Sequence, residues 1–194
     1  MLDDETRVVL SYEYVDDDRV VDRGVPSQLV QDGPNVPLKG YDETFFGSPS
    51  ANYTTLEAQL FRARIEHRLS ESMTANATLQ YADYDKYYQN LYPSDVVVVT
   101  DGNIETVELD GYSDPTQREN LMFQANLVAE LRTGSLEHVL LLGVELGEQE
   151  TSNPRYDNTF EANGDDQLGF PFSDPLQIPS FAFDKLVRDR ASDV

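Results

Sequence analysis

Cysteine is absent from the 194 residues, which excludes disulfide frameworks and thiolate metal sites while leaving the compartment open. No apolar run approaches the roughly 20 residues that a membrane-spanning helix requires. Cations are scarce as well: 14 Lys and Arg stand against 36 Asp and Glu, for a formal net charge of -22. The basic residues form no run, so no nucleic-acid partner is expected, because phosphate binding needs clustered Lys and Arg. Imidazole is limited to His67 and His138, which make no His-x-x-x-His pair and sit near no nucleophile elbow. There is no glycine-rich phosphate loop either. The chain is therefore expected to be no enzyme and to hold no resident metal or cofactor. The opening Met1-Leu2-Asp3-Asp4-Glu5 lacks the basic and apolar parts of a signal peptide, so any export signal is expected outside this chain.

What remains is unusual in its balance. Hydrophobic residues make up only 39%, yet there are 11 Tyr and 9 Phe. The mean hydropathy is -0.50. That is too aromatic for an acidic disordered tail. Narrow apolar bands between wet polar loops reconcile the two facts. Period-two alternation supplies the bands, since successive strand residues point to opposite faces. Between Thr6 and Val15, Val8, Leu10, Tyr12 and Tyr14 alternate with Arg7, Val9, Ser11 and Glu13. Ala75, Ala77, Leu79 and Tyr81 alternate with Asn76, Thr78 and Gln80, in a segment running to about Leu91. From Arg118 to Arg132, Leu121, Phe123, Ala125, Leu127, Ala129 and Leu131 oppose Asn120, Met122, Gln124, Asn126, Val128 and Glu130. A further strand covers Leu136 to Glu148.

The segment 54–69 reads both ways. Leu56, Leu60, Ala63 and His67 fall at helical spacing, and Thr54 with Glu57 makes a capping box. Its second half alternates as a strand, with Phe61, Ala63, Ile65 and Leu69 against Arg62, Arg64, Glu66 and Arg68. The connections are more informative. Ser70–Thr74 and Thr133–Ser135 are short, and Gly134 supplies the positive φ of a tight hairpin. The stretches 16–52, 92–116 and 152–194 are long and read as loops. Short turns alternating with long loops are the pattern of an outer-membrane barrel, with loops outside and turns on the periplasmic side. A soluble antiparallel sheet with decorated loops would show the same alternation. That alternative would be an acidic β-domain binding carbohydrate, or binding calcium through groups such as Asp16, Asp17, Asp18, Asp165 and Asp166. Their spacing matches no EF-hand loop. An outer-membrane channel or adhesin is a third reading.

Several stretches resemble the barrel of TonB-dependent siderophore receptors. They are Leu10-Ser11-Tyr12-Glu13-Tyr14, then Asp22-Arg23-Gly24-Val25-Pro26-Ser27, then Thr44-Phe45-Phe46-Gly47-Ser48-Pro49. Ser48 stands where that family usually has Asp. The likeness continues through Ile65-Glu66-His67-Arg68-Leu69, Thr78-Leu79-Gln80-Tyr81 and Leu141-Leu142-Gly143-Val144-Glu145. It implies an all-β, antiparallel transmembrane β-barrel fragment with long extracellular loops. The whole of 1–194 is expected to be partial barrel, without plug domain or signal peptide, and its ending Ser192-Asp193-Val194 differs from the usual aromatic terminus. The resemblance also implies an outer-membrane location, lipid contact, a ferric siderophore as ligand, and TonB acting through the missing plug. For the ligand site, even-numbered residues of the third segment are expected to face the lumen, which points Tyr84 and Tyr88 inward. Tyr81 and Tyr87 then face outward, with Tyr81 a candidate for the interfacial aromatic girdle. Arg23 either meets an anionic chelate or pairs with the Asp cluster beside it, while Phe45 and Phe46 are expected to pack their loop.

Overall fold

The structure, a computed structural model, describes residues 5–193. The opening residues read for a leader, Met1 to Asp4, lie outside the described residues, as does Val194. The chain is all β in this range. Its strands are β1 (Thr6–Val20), β2 (Ser27–Gln28), β3 (Val36–Pro37), β4 (Tyr53–Ser70) and β5 (Met73–Pro93). They continue with β6 (Val99–Thr100), β7 (Asn103–Ile104), β8 (Thr106–Ser113), β9 (Thr116–Thr133) and β10 (Leu136–Ser152). The last are β11 (Arg155–Phe160), β12 (Leu168–Pro171), β13 (Phe181–Arg188) and β14 (Ala191–Asp193).

Five long antiparallel strands, in the order β1-β4-β5-β9-β10, form an open wall. The two-way reading of 54–69 resolves as strand, because β4 is paired along its length on both sides. A helix would leave β1 without a partner and one edge of β5 unpaired. The turns at the lower end are tight. Ser70 pairs with Met73, and Thr133 with Leu136 across Gly134 at φ 64.

Register turns the sequence alternation into two continuous faces. Leu10, Ala63, Leu79, Phe123 and Leu146 lie in one row across all five strands. Val8, Ile65, Ala77, Ala125 and Val144 form the row below it. Tyr12, Phe61, Tyr81 and Leu121 form the row above, with the Tyr12 and Phe61 rings 4.6 Å apart. Tyr81 is therefore on the apolar face, at its upper margin. The opposite face carries rows such as Arg7, Glu66, Asn76 and Asn126, where Asn126 donates to Asn76 Oδ1 at 3.3 Å. Above the aromatic row the apolar face becomes acidic, through Asp83, Glu119 and Glu150, then Asp16, Glu57 and Asp85. Every Lys and Arg of the five long strands, from Arg7 and Arg62 to Lys86 and Arg132, falls on the polar face.

Apolar residues behave oppositely at the two ends of the molecule. On the wall they face out, Leu10 at 76% exposure and Leu142 at 73%. Above the wall the connections fold into a cap with a true core, in which Leu91, Leu109 and Phe160 are at 0%. The expected loops thus hold more structure than their sequence showed. β1 continues through Asp16–Val20, 92–116 contains β8, and 152–194 contains β11 to β14. With solvent on both faces of β1 here, alternation carries no signal, and pairing alone extends the strand.

The stretch Phe45-Phe46-Gly47-Ser48-Pro49 builds the cap's main clamp. Phe46 enters the core and stacks on Phe172 at 6.0 Å. Asn52, fully buried, donates to the Leu91 carbonyl at 2.7 Å and accepts the N–H groups of Leu91 and Ser48, both at 3.1 Å. Gly47 lies so close that an added Cβ would stand 2.6 Å from the Asn52 amide, which explains the glycine.

Candidate ligand face

Arg23 reaches the polar face from a tight bend after β1. Asp22 accepts the Gly24 N–H at 2.8 Å, and Gly24 adopts φ 82, a value a side chain would resist. The Arg23 side chain thereby turns away from the neighbouring Asp residues and onto β5 and β8. Its Nη1 donates to Tyr112 Oη at 3.0 Å and Tyr88 Oη at 3.4 Å, and the guanidinium lies 5.1 Å from the Tyr92 ring centroid. The alternative in which Arg23 pairs with its adjacent Asp cluster is not what forms. Hydrogen bonds to Tyr88 and Tyr112 raise the guanidinium above its ordinary pKa, against the opposing effect of burial.

The three phenols are held together by the pairing of β5 with β8. Asn90 lies opposite Tyr112, which places Tyr88 and Tyr92 on either side of it on one face. Ring centroids are 5.9 Å apart for Tyr88 and Tyr112, and 6.1 Å for Tyr92 and Tyr112. Tyr92 donates to Asp110 at 3.2 Å. Burial, then the Asp110 charge, pushes the Tyr92 pKa up to about 12, so it stays a neutral donor at working pH. Beneath the rings, buried Asn90 donates to the Tyr112 carbonyl at 3.3 Å.

A second guanidinium covers the cluster from the other side, Arg155 lying 4.0 Å over the Tyr112 ring. Arg155 Nε donates to Asp114 at 2.8 Å, its second nitrogen bonds the other carboxylate oxygen, and Asp114 raises its pKa. Arg188 donates to Asp114 at 3.2 Å and to Asn153 at 2.6 Å. One carboxylate therefore ties β11 and β13 to the β8–β9 corner.

The structure joins two of the three residues singled out from sequence, Arg23 and Tyr88, and separates the third. Tyr84 is on the same face but lower, opposite Ala58 and Arg118, in a cleft lined also by Lys86, Asn153 and Arg190. Tyr92, Tyr112, Arg155 and Arg188 escaped sequence reasoning. Val107, Leu109 and Gly111 alternating with Glu108, Asp110 and Tyr112 was the available signal for β8, masked by a glycine that reads as a turn. The arrangement offers flat rings, phenolic donors and guanidinium planes, which suits holding a compact, partly aromatic ligand. The two histidines are elsewhere, on the apolar face of the wall, where His67 Nδ1 is 2.9 Å from Thr6 Oγ1.

No family model matches the chain. Among curated proteins it is 27% identical over 165 residues to a probable TonB-dependent siderophore receptor, PiuA of Acinetobacter baumannii, covering 84% of this chain and 22% of that protein. The chain thus spans about a fifth of the length of that relative. The solved siderophore receptor PiuA from Acinetobacter baumannii superposes with a TM-score of 0.69 at 25% identity, over 99% of this chain and 28% of the receptor. The ferric-catecholate import receptor Fiu from E. coli K12 gives 0.64 at 20% identity, over 77% and 25%. The ferric preacinetobactin receptor BauA from Acinetobacter baumannii gives 0.63 at 14%, over 100% and 27%. The last two show the fold: an arc of β-barrel wall, not closed within this chain.

Proposed function

We propose that this chain forms part of the wall and outer loops of an outer-membrane receptor for TonB-dependent uptake of ferric siderophores. The observation that carries this is the set of uninterrupted apolar rows across five strands, backed by a polar face. A soluble domain would have to hide those rows, and a lipid bilayer covers them without further structure. Leu121 to Leu131 on β9 rise ~33 Å along the strand, or ~25 Å at a barrel tilt, matching a bilayer's apolar band. The likeness to siderophore receptors over nearly the whole chain supports the transport role.

In that receptor the polar face lines the lumen, and the cap stands outside the cell. Arg23, Tyr88, Tyr92 and Tyr112 contact the ferric chelate near the rim, with Tyr84 below them on its way inward. Coupling to TonB runs through the plug domain that the resemblance implies, and these residues contribute no bond-making chemistry. The test is uptake of radioactive iron chelates by cells expressing the receptor that contains this chain, with and without an active TonB system. Tyr88→Ala with Tyr112→Ala should cut uptake at least tenfold while surface expression persists. TonB-independent uptake, or full uptake by the double variant, would overturn the reading.

A further inference from the structure

Directly beneath the ring cluster, the polar face holds a cleft whose lining reverses the composition of the chain. Two neighbouring rows build it. Tyr84 lies opposite Arg118, Arg118 opposite Thr151, and Thr151 opposite Ser192 of β14. One step higher, Lys86 lies opposite Thr116, whose hydroxyl accepts from Asn153 at 2.7 Å. The Asn153 N–H donates to the Arg190 carbonyl at 2.8 Å, which brings Arg190 to the same place. Paired strands stand ~5 Å apart and successive residues on one face ~7 Å apart. Lys86, Arg118 and Arg190 therefore surround a single space, of about 750 Å³.

Three cations line this cleft and no carboxylate does, in a chain with 36 Asp and Glu. Asp83, Asp85, Glu119 and Glu150 belong to the same strands, but register turns them to the far side of the sheet. Asp17 is on the near side, opposite Leu56, and is taken by Arg19 at 3.1 Å. Asp189 and Asp193, close to Arg190 in sequence, stand outside the lining. The side chains of Lys86 and Arg190 have no hydrogen-bond or ion-pair partner among the described residues. Arg118 meets only the neutral Thr151 hydroxyl, at 3.2 Å. The hydroxyls of Tyr84, Thr116 and Ser192 add further donors around the same space. Unpaired cations among donors call for a group that only accepts, and a carboxylate is a compact group that pairs with guanidinium and ammonium alike.

We infer that the cleft is an oxyanion subsite, in which Lys86, Arg118 and Arg190 hold a carboxylate on the periphery of the ferric chelate while the body of the chelate rests on the Tyr88 and Tyr112 rings. Tyr88 is two residues above Lys86 on the same face, ~7 Å along the strand, so one ligand spans both. The inference rests on the receptor reading above and adds to it a pendent acid as the feature that this chain selects.

The experiment is calorimetric titration of the full receptor in detergent with matched synthetic chelates. Two scaffolds are used, a ferric trihydroxamate and a ferric tris-catecholate, each with one pendent arm ending in a free carboxylate or in its methylamide. Comparison is made within a scaffold, so that the charge of the iron centre cancels. At about 20 mM salt the carboxylate arm should bind roughly tenfold tighter than the methylamide, and at about 500 mM the gap should largely close. Lys86→Gln with Arg118→Gln should bring the ratio under about twofold, whereas Lys86→Arg with Arg118→Lys, which keeps both charges, should preserve it. Tyr88→Ala with Tyr112→Ala should weaken both arms alike and leave the ratio standing. Salt dependence of the unaltered receptor gives an answer without any substitution. Equal binding of the two arms, a preference that survives loss of Lys86 and Arg118, or one that disappears with the tyrosines would each overturn the inference while leaving the receptor reading intact. A folded receptor that binds neither scaffold would instead remove the receptor reading, and the inference with it.

Discussion

Adjacent residues on β9 should tolerate the same substitution very differently. Ala125 lies in the middle of the apolar rows, between Ala77 and Val144, whereas Gln124 lies on the opposite face between Thr78 and Glu145. Arginine at 125 would place a guanidinium near the bilayer midplane, where a lipid-facing Arg costs ~2–4 kcal/mol in a transmembrane barrel. Arginine at 124 would join a wet face that already carries Arg62 and Arg64, and should change stability by less than about 0.5 kcal/mol. Leu121 stands four residues higher on the strand, ~10 Å nearer the interface after tilt, where the cost falls to ~0–1 kcal/mol. The assay is equilibrium denaturant unfolding of the full receptor in lipid vesicles, read by the heat-modifiable gel shift. The expected order of destabilisation is Ala125→Arg, then Leu121→Arg, then Gln124→Arg. If Gln124→Arg costs as much as Ala125→Arg, the assignment of faces is refuted. Equal costs at 121 and 125 would refute the placement of the bilayer along the strand.

Other expectations concern the cap and the ligand face. Asn52→Leu leaves the Leu91 N–H and C=O and the Ser48 N–H without partners, and should cost the cap ~2–4 kcal/mol, seen as faster hydrogen exchange at Leu91. Gly47→Ala should loosen the same clamp, because its new methyl occupies the position of the Asn52 amide; protease nicking of the 21–52 connection on whole cells would report it. Asp114→Ala strips the shared carboxylate from Arg155 and Arg188, which are about two-thirds or more covered, and should detach β11 from β8 at a cost of ~2 kcal/mol. Unchanged exchange rates in β11 would argue against that clamp. Asp157 has a raised pKa, so its protonated form favours the folded cap. That stability is complete below the ordinary carboxylate pKa and is lost as pH rises through the raised value. Asp157→Asn should therefore stabilise the cap at neutral pH and flatten this dependence in a pH series of thermal melts.

The wall was legible from sequence because one face stays apolar at every second position from Leu121 to Leu131 on β9, although Met122 and Val128 interrupt the polar row opposite. The parity it set on β5 held without a bulge between Met73 and Pro93, which is why Tyr88 and Tyr81 fell on the faces expected of them. Segment 54–69 was ambiguous for a local reason: its Leu, Glu, Ala and Gln favour helix, and only pairing with β1 and β5 decides it. The cap resisted for a different reason. Gly111 is required where an added Cβ would stand 2.5 Å from the Asn90 carbonyl, yet in sequence a glycine beside an Asp marks a turn. With β8 hidden, Tyr112 had no strand to place it. Arg155 and Arg188 were equally invisible, since the carboxylate that unites them lies 41 and 74 residues away.

The acidic rows above Tyr12 and Tyr81 act as a stop on vertical travel. A long Lys or Arg stem can follow its charge back to water when a wall sinks, so outward-facing cations would permit drift. Asp83, Glu119, Glu150 and Asp85 have short stems, and the five long strands present no outward cation to soften their descent. One two-residue step inward would drag a row of these carboxylates to the level of the aromatic rings, and one step outward would lift the Tyr12, Phe61 and Tyr81 rings to the level the carboxylates now hold. In the receptor proposed above, the wall is keyed to a single immersion depth, and through it the height of the tyrosine cluster above the membrane is set.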